Sequence, residues 1–211
     1  VADGRYPYHN YEAAPQPSAT ENIYACPHSQ NYSVHQYGGD YLSINCSGDF
    51  TLHFEGSTRT GLLPTDPYSG DYAFWTNKGD ESDMTLTRDF DFSNISGPIT
   101  LSFQTWYDIE EDYDYVYLEV SEDGEYWDII TTPLGTDADP SGNSYGWAFN
   151  GVTGGWVEEN VDLSEYAGKE VQVRFEYVTD AAVNGEGMLI DDIRIEAIDY
   201  ASDFESDSGG W

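Results

Sequence analysis

The chain has 211 residues and sets 40 Asp and Glu against 7 Lys and Arg, a formal net charge of -33. Such a field repels nucleic acid and anionic membrane surfaces, and favours metal cations, basic partners, neutral glycans or a high-salt setting. Aromatics make up 16% of the residues, which excludes a disordered acidic chain, and no apolar run approaches a membrane span.

Residues 1–33 read as an irregular arm, because Tyr6-Pro7-Tyr8, Pro15-Gln16-Pro17 and Cys26-Pro27 break any regular pattern. Val1 in place of Met predicts a processed chain or a fragment. Cys26 and Cys46 pair in an extracellular setting and stay as buried thiols otherwise. Asn31, Asn45 and Asn94 each open an N-glycosylation sequon.

From Val34 the texture changes. Leu42 and Ile44 predict a short strand, and Phe50, Leu52 and Phe54 alternate with Thr51, His53 and Glu55 as a longer one. Tyr72 to Trp75 reads as a short apolar strand. Met84, Leu86, Phe90 and Phe92 share a face of the next, with Arg88 breaking the row. After a turn at Ser93 to Pro98, Ile99, Leu101, Phe103 and Tyr107 share a face. Val116, Leu118 and Val120 then alternate with Tyr115, Tyr117 and Glu119 as a half-buried strand.

Glu122 to Glu125 marks a tight hairpin into Trp127, Ile129 and Ile130. Residues 132–155 form a long loop of a length that is usually functional. Val157, Val161 and Leu163 resume a strand, and Val171, Val173, Phe175 and Tyr177 give the cleanest alternation in the chain. Met188 to Ile195 is the last core strand. No stretch holds helical periodicity over three turns. The expectation is an all-β chain, an antiparallel β-sandwich over residues 34–198 with an arm before it and a tail, residues 199–211, after it.

Carboxylates crowd one stretch: Asp108, Glu110, Glu111, Asp112 and Asp114. They are either splayed into water as a solvated acidic loop or gathered round a cation, and hard oxygen ligands in such number suit Ca²⁺. If the turn at Ser93 to Pro98 joins neighbouring antiparallel strands, Asp83 falls opposite Asp108 and Glu81 opposite Glu110. Like charges facing each other destabilise a sheet, and a divalent cation reverses that sign. A final hairpin with loop Val178 to Gly187 adds Asp180, Asn184 and Glu186. Asp191 shares strand parity with Leu189, Ile193 and Ile195, so it points inward and needs a partner or a metal. No His-Glu-x-x-His and no nucleophile elbow occurs, and no catalytic pair stands out among the acids, so the expectation is a non-enzyme.

Several phrases carry a family resemblance. They are Val34 to Gly38, Leu63 to Gly70, Phe74 to Asp83, Trp106 to Tyr117, Pro140 to Trp147 and Asp180 to Gly187. In this order they resemble the region downstream of the catalytic domain in secreted immune inhibitor A-like metallopeptidases, a region similar to MAM-type jelly rolls. The resemblance covers roughly residues 34–195. It implies an extracellular jelly roll with calcium sites, with Glu55, Asp71, Asp80, Asp83, Asp108, Asp112 and Asp191 near cations. Glu110 joins them from the strand pairing above. The zinc-protease motif is missing, so proteolysis is not implied. Asp203-Phe204-Glu205 echoes His53-Phe54-Glu55 and resembles the first strand of a further domain.

Three functions compete: a non-catalytic, calcium-stabilised extracellular module; a self-assembling filament subunit that adds its arm or tail to a neighbour's sheet; and a glycan-binding module using Tyr145, Trp147 or Trp156.

Overall fold

The computed structural model describes residues 21–34, 39–56 and 61–211. Two units divide the chain, residues 1–62 and 63–211. In the first, β1 (Glu21–Ile23) and β2 (Leu42–Ile44) pair in parallel, and a disulfide joins Cys26 to Cys46 just beyond them. β2 and the cysteine pairing agree with the sequence reading. β1 falls inside the supposed arm, since three residues are too few to show a period. The first twenty residues lie outside the described ones.

The strand expected from Phe50, Leu52 and Phe54 is not formed. Residues 51–56 have no strand pairing, and these three side chains are 54%, 70% and 83% exposed. Alternation marks what a strand could bury, but a strand needs a partner for its backbone groups.

The second unit is a sandwich of two sheets. One has the order β4 (Asp83–Asp91), β9 (Glu170–Val178), β6 (Tyr115–Ser121), β7 (Asp128–Ile129). The other runs β11 (Tyr200–Ser202), β10 (Gly187–Ile195), β5 (Thr100–Asp108), β8 (Val157–Asp162), with β3 (Phe74–Trp75) also on β10. Every pairing in both sheets is antiparallel. Leu101, Phe103, Ile190 and Ile193 of one sheet meet Leu118, Val120, Val173 and Phe175 of the other in the core. This is the all-β antiparallel sandwich that the alternating strands predict, with the jelly-roll type that the family resemblance implies.

Two of the expected hairpins are corrected. β4 pairs with β9, and β5 with β10 and β8, so Ser93 to Pro98 carries the chain from one sheet to the other. Asp83 therefore faces Val178, not Asp108. Residues 179–186 likewise cross between sheets rather than closing a hairpin. A connection of six to eight residues can do either, because facing sheets lie only about 10 Å apart. The β6–β7 hairpin is formed as read.

Strand β6 is buried on both faces, not half-buried. Tyr115 and Tyr117, expected outside, lie with Ala148 in a second apolar cluster under the long loop. Tyr145 stacks on Tyr117 at 5.6 Å and donates its backbone N–H to the Tyr117 hydroxyl.

The tail is placed on the sandwich. Phe204 is buried against Phe74, and Trp211 packs on Phe90 and Phe175. Arg88, the break in the apolar row of β4, lays its guanidinium 3.8 Å from the Tyr200 ring centroid and donates to the Gly209 carbonyl.

Asp191 is fully buried, but not in the core. A bulge between Asp191 and Arg194, with Asp192 at φ 48°, reverses the alternation of β10. Met188 and Ile190 face the core before it, and Ile193 and Ile195 after it. Asp191 thus shares the outer face with Leu189, beneath the segment containing Ser69, whose N–H donates to Asp191 Oδ2 at 3.1 Å. Asp191→Ala takes the acceptor from the part-buried amides of Ser69 and Asp192 and is expected to destabilise by about 1–3 kcal/mol. Limited proteolysis should then cut first between Leu63 and Tyr72; unchanged resistance there would contradict the anchoring role.

Candidate metal centre

The loop between β5 and β6 is built to hold carboxylates close together. Asp114 N–H returns to the Glu110 carbonyl at 3.2 Å, and Asp112 takes a left-handed φ of 70°. Asn150 staples this turn: its Nδ2 donates to the carbonyls of Glu110 and Asp114, while its Oδ1 accepts Asp112 N–H at 3.1 Å. Opposite, Thr179 is clasped to the 79–82 turn. It exchanges backbone and hydroxyl bonds with Ser82 and donates its hydroxyl to the Gly79 carbonyl at 2.7 Å. This fixes Asp180 beside Asp114.

Glu110, Asp114 and Asp180 each present a carboxylate oxygen, and all three oxygens lie within 4.8 Å of one another. Oxygens that share one Ca²⁺ at 2.3–2.6 Å cannot be farther apart than about 5 Å, so the spacing fits. Asp114 is fully buried; its Oδ1 accepts Asp180 N–H at 2.8 Å and its Oδ2 accepts the Tyr177 hydroxyl at 3.3 Å. Glu110 Oε2 is buried without a hydrogen-bond partner. Burial, then the charges of Asp114, Asp180 and Asp80, push the Glu110 carboxyl above its ordinary range. Burial also raises Asp114, against the two hydrogen bonds that favour its anion. Carboxylates held together against their own repulsion, one with an orphan oxygen, suit a hard cation, which would supply the missing positive charge. The described histidines, His28 and His53, lie in the other unit, so nothing here favours zinc.

An open cleft of about 650 Å³ adjoins the trio, lined by Asp108, Glu110, Glu111, Asn150, Val183 and Asn184 among others. Val183 sits on its rim with φ 67°, a strained conformation for a β-branched residue.

Of the expected ligands, the structure brings Glu110 into this trio and Asp80 within electrostatic reach. Asp108 lines the cleft, and Asp112 shapes the turn, with its carbonyl accepting the Tyr115 hydroxyl at 2.9 Å. Asp83 lies instead beside Glu176 on the outer face of its sheet. Asp191 lies on the outer face of β10 and accepts Ser69 N–H, and Asp71 lies in the segment following Ser69, where its N–H donates to Glu205. Glu55 is in the first unit, paired with exposed His53.

Asp114 and Asp180 stand among the converging carboxylates of the sequence reading, but not among the residues it places at the cation. Asp114 carried a readable signal, since it shares parity with Val116, Leu118 and Val120 and so points inward. Asp180 lies in a loop without period. The aromatics considered for glycans are engaged internally in part: the Trp147 indole donates to the Thr132 carbonyl, and that of Trp156 to the Asp66 carbonyl. Tyr145 remains 71% exposed.

Residues 54–210 match the model of the family described as immune inhibitor A-like, MAM domain. The match starts later than the resemblance read from the sequence and runs on through the tail. The pre-pro-metalloprotease PrtV of Vibrio cholerae is 32% identical over 130 residues, 62% of this chain and 14% of that protein. Immune inhibitor A of Bacillus thuringiensis subsp. alesti is 32% identical over 146 residues, 68% of this chain and 20% of that protein. Bacillopeptidase F of Bacillus subtilis is 30% identical over 143 residues, 65% of this chain and 9% of that protein. The chain therefore spans at most 20% of the length of these relatives. Among the described residues no helix is long and apolar enough to cross a membrane. From the antiparallel sandwich and the family match together, the chain belongs to the immune inhibitor A-like MAM domain family.

Proposed function

We propose that the chain is a non-catalytic, calcium-stabilised module of an extracellular, peptidase-like protein. The observation that carries this reading is the orphan Glu110 oxygen beside Asp114 and Asp180, a carboxylate trio whose mutual repulsion a bound cation would relieve. The matched family is a MAM domain, not a catalytic one, and the chain lacks His-Glu-x-x-His. The Cys26–Cys46 disulfide suits an oxidising, extracellular setting. In this role the cation ties the ends of β5, β6 and β9 together at one end of the sandwich, and so holds the module rigid.

Titration calorimetry with Ca²⁺ on chelator-treated protein tests it. Binding is expected in the intact chain, with loss of at least tenfold in affinity for Asp180→Asn and little change for Asp83→Asn. Absence of binding up to millimolar Ca²⁺ would remove the calcium reading, and cleavage of a denatured protein substrate by the purified chain would remove the non-catalytic one.

A further inference from the structure

The echo between His53-Phe54-Glu55-Gly56 and Asp203-Phe204-Glu205-Ser206 acquires a physical meaning in the fold. The second segment is seated. Phe204 is 7% exposed with its ring 4.8 Å from that of Phe74, and Glu205 Oε1 accepts the N–H groups of Asp71 at 3.0 Å and Tyr72 at 2.9 Å. Gly70 lets that carboxylate in, since a Cβ there would collide with it. The seat thus reads two features, an aromatic ring and a carboxylate on the next residue. The first segment carries both and is unseated: Phe54 is 83% exposed, and the Glu55 side chain 85%. Yet the family match begins at Phe54, so this residue belongs to the pattern of the sandwich while lying in the other unit.

We infer that the seat formed by Phe74, Gly70 and the amides of Asp71 and Tyr72 is a docking site for the Phe54-Glu55 segment of a second copy of this chain. Phe50 and Leu52, exposed at alternate positions before Phe54, give that segment more apolar surface to bury than the tail has at the same positions. Each copy's tail fills its seat, so the exposed Phe54 of a second copy enters only as that tail leaves. The inserted segment and the seat are different parts of the chain, so the contact runs head-to-tail from copy to copy. The charge of -33 per copy opposes this, so exchange needs salt or divalent cations to screen it.

The test places a photo-crosslinking phenylalanine analogue at position 54 of the full chain and irradiates a mixture of isotopically heavy and light protein in high salt. Heavy–light crosslinks between position 54 and residues 70–74 are expected, with a yield at least fivefold higher when Phe204→Ala and Glu205→Ala empty the seat. A peptide spanning residues 49–56 should suppress them and should speed hydrogen exchange in residues 200–211 of the unmodified chain, whereas the same peptide with Glu55→Ala should not. Crosslinks confined to single copies, or crosslinks away from the seat together with an unaffected tail, would overturn the assignment.

Discussion

Calcium is expected to raise the melting temperature of chelator-treated protein by roughly 5–10 °C once it reaches a hundredfold excess over its dissociation constant. Glu110 lies in the loop after β5, Asp114 at the start of β6, and Asp180 after β9, with the oxygens within 4.8 Å only in the fold. An unfolded chain scatters them, so the ion binds the native state and its binding energy adds to stability. A hundredfold excess contributes about 2.7 kcal/mol. The substitution Asp114→Asn should have two opposite effects. Without calcium it removes a buried charge crowded by Asp180 and Asp80, and an amide oxygen can still accept Asp180 N–H, so the melting temperature should hold or rise. With calcium the rise should largely vanish. Differential scanning calorimetry of both proteins, in chelator and in millimolar Ca²⁺, reads both effects. Equal melting temperatures of the unsubstituted chain in the two conditions would end the argument for a structural ion.

The strands themselves were open to reading because burial on one face writes a period of two. Val171, Val173, Phe175 and Tyr177 of β9 all reach the core, as do Leu101, Phe103 and Tyr107 of β5. Which strand lies beside which was not readable. The loop Ser93 to Pro98 has turn chemistry either way, and only the packing of both sheets decides that β4 joins β9. The changed pairing sets Asp83 beside Val178 and Glu176 on the outer face of its sheet instead of opposite Asp108. The core-facing parity expected for Asp191 fails because the bulge after it breaks the alternation; Asp191 is buried on the outer face, by the loop holding Ser69. The carboxylate trio was half legible. Glu110 and the inward parity of Asp114 were in the sequence, but Asp180 arrives from a loop whose position depends on the crossing between sheets. Tyr115 and Tyr117 looked like solvent-facing residues because the residues that cover them, Tyr145 and Ala148 among them, lie in a segment without a period.

Stability should fall as pH rises from about 5 to 8, and Glu119→Gln should remove a large part of that fall. Glu119 lies on the outer face of its sheet, yet it is only 8% exposed, and its Oε2 is buried without a partner. It stands directly across from Arg174 in the register of β6 and β9. That guanidinium is already divided: Nε donates to the Thr87 hydroxyl at 3.1 Å, Nη1 lies 3.5 Å from Glu176 Oε2, and the group stacks 3.6 Å from the Trp127 ring centroid. One cation thus serves Glu119, Glu176 and, farther off, Asp83. Burial first, then the shared hydrogen bond and charge of Glu176, push the Glu119 carboxyl up to about 8, against the pull of Arg174. A carboxyl raised in the fold binds its proton more tightly there than in the unfolded chain. Its contribution is therefore complete below the ordinary carboxylate range and is lost as pH passes through about 8. Across that window the loss runs at about 1.4 kcal/mol per pH unit, a few kcal/mol in all. Groups with lowered values, Asp91, Asp123 and Asp162, titrate below it and do not mask the slope. Glutamine keeps a donor toward Glu176 and has nothing to ionise. Urea unfolding of both proteins at fixed Ca²⁺ should give similar stabilities near pH 5, with the Gln variant the more stable by a few kcal/mol at pH 8.5. Parallel pH profiles for the two proteins would show that Glu119 is ionised throughout and that no proton is shared with Glu176.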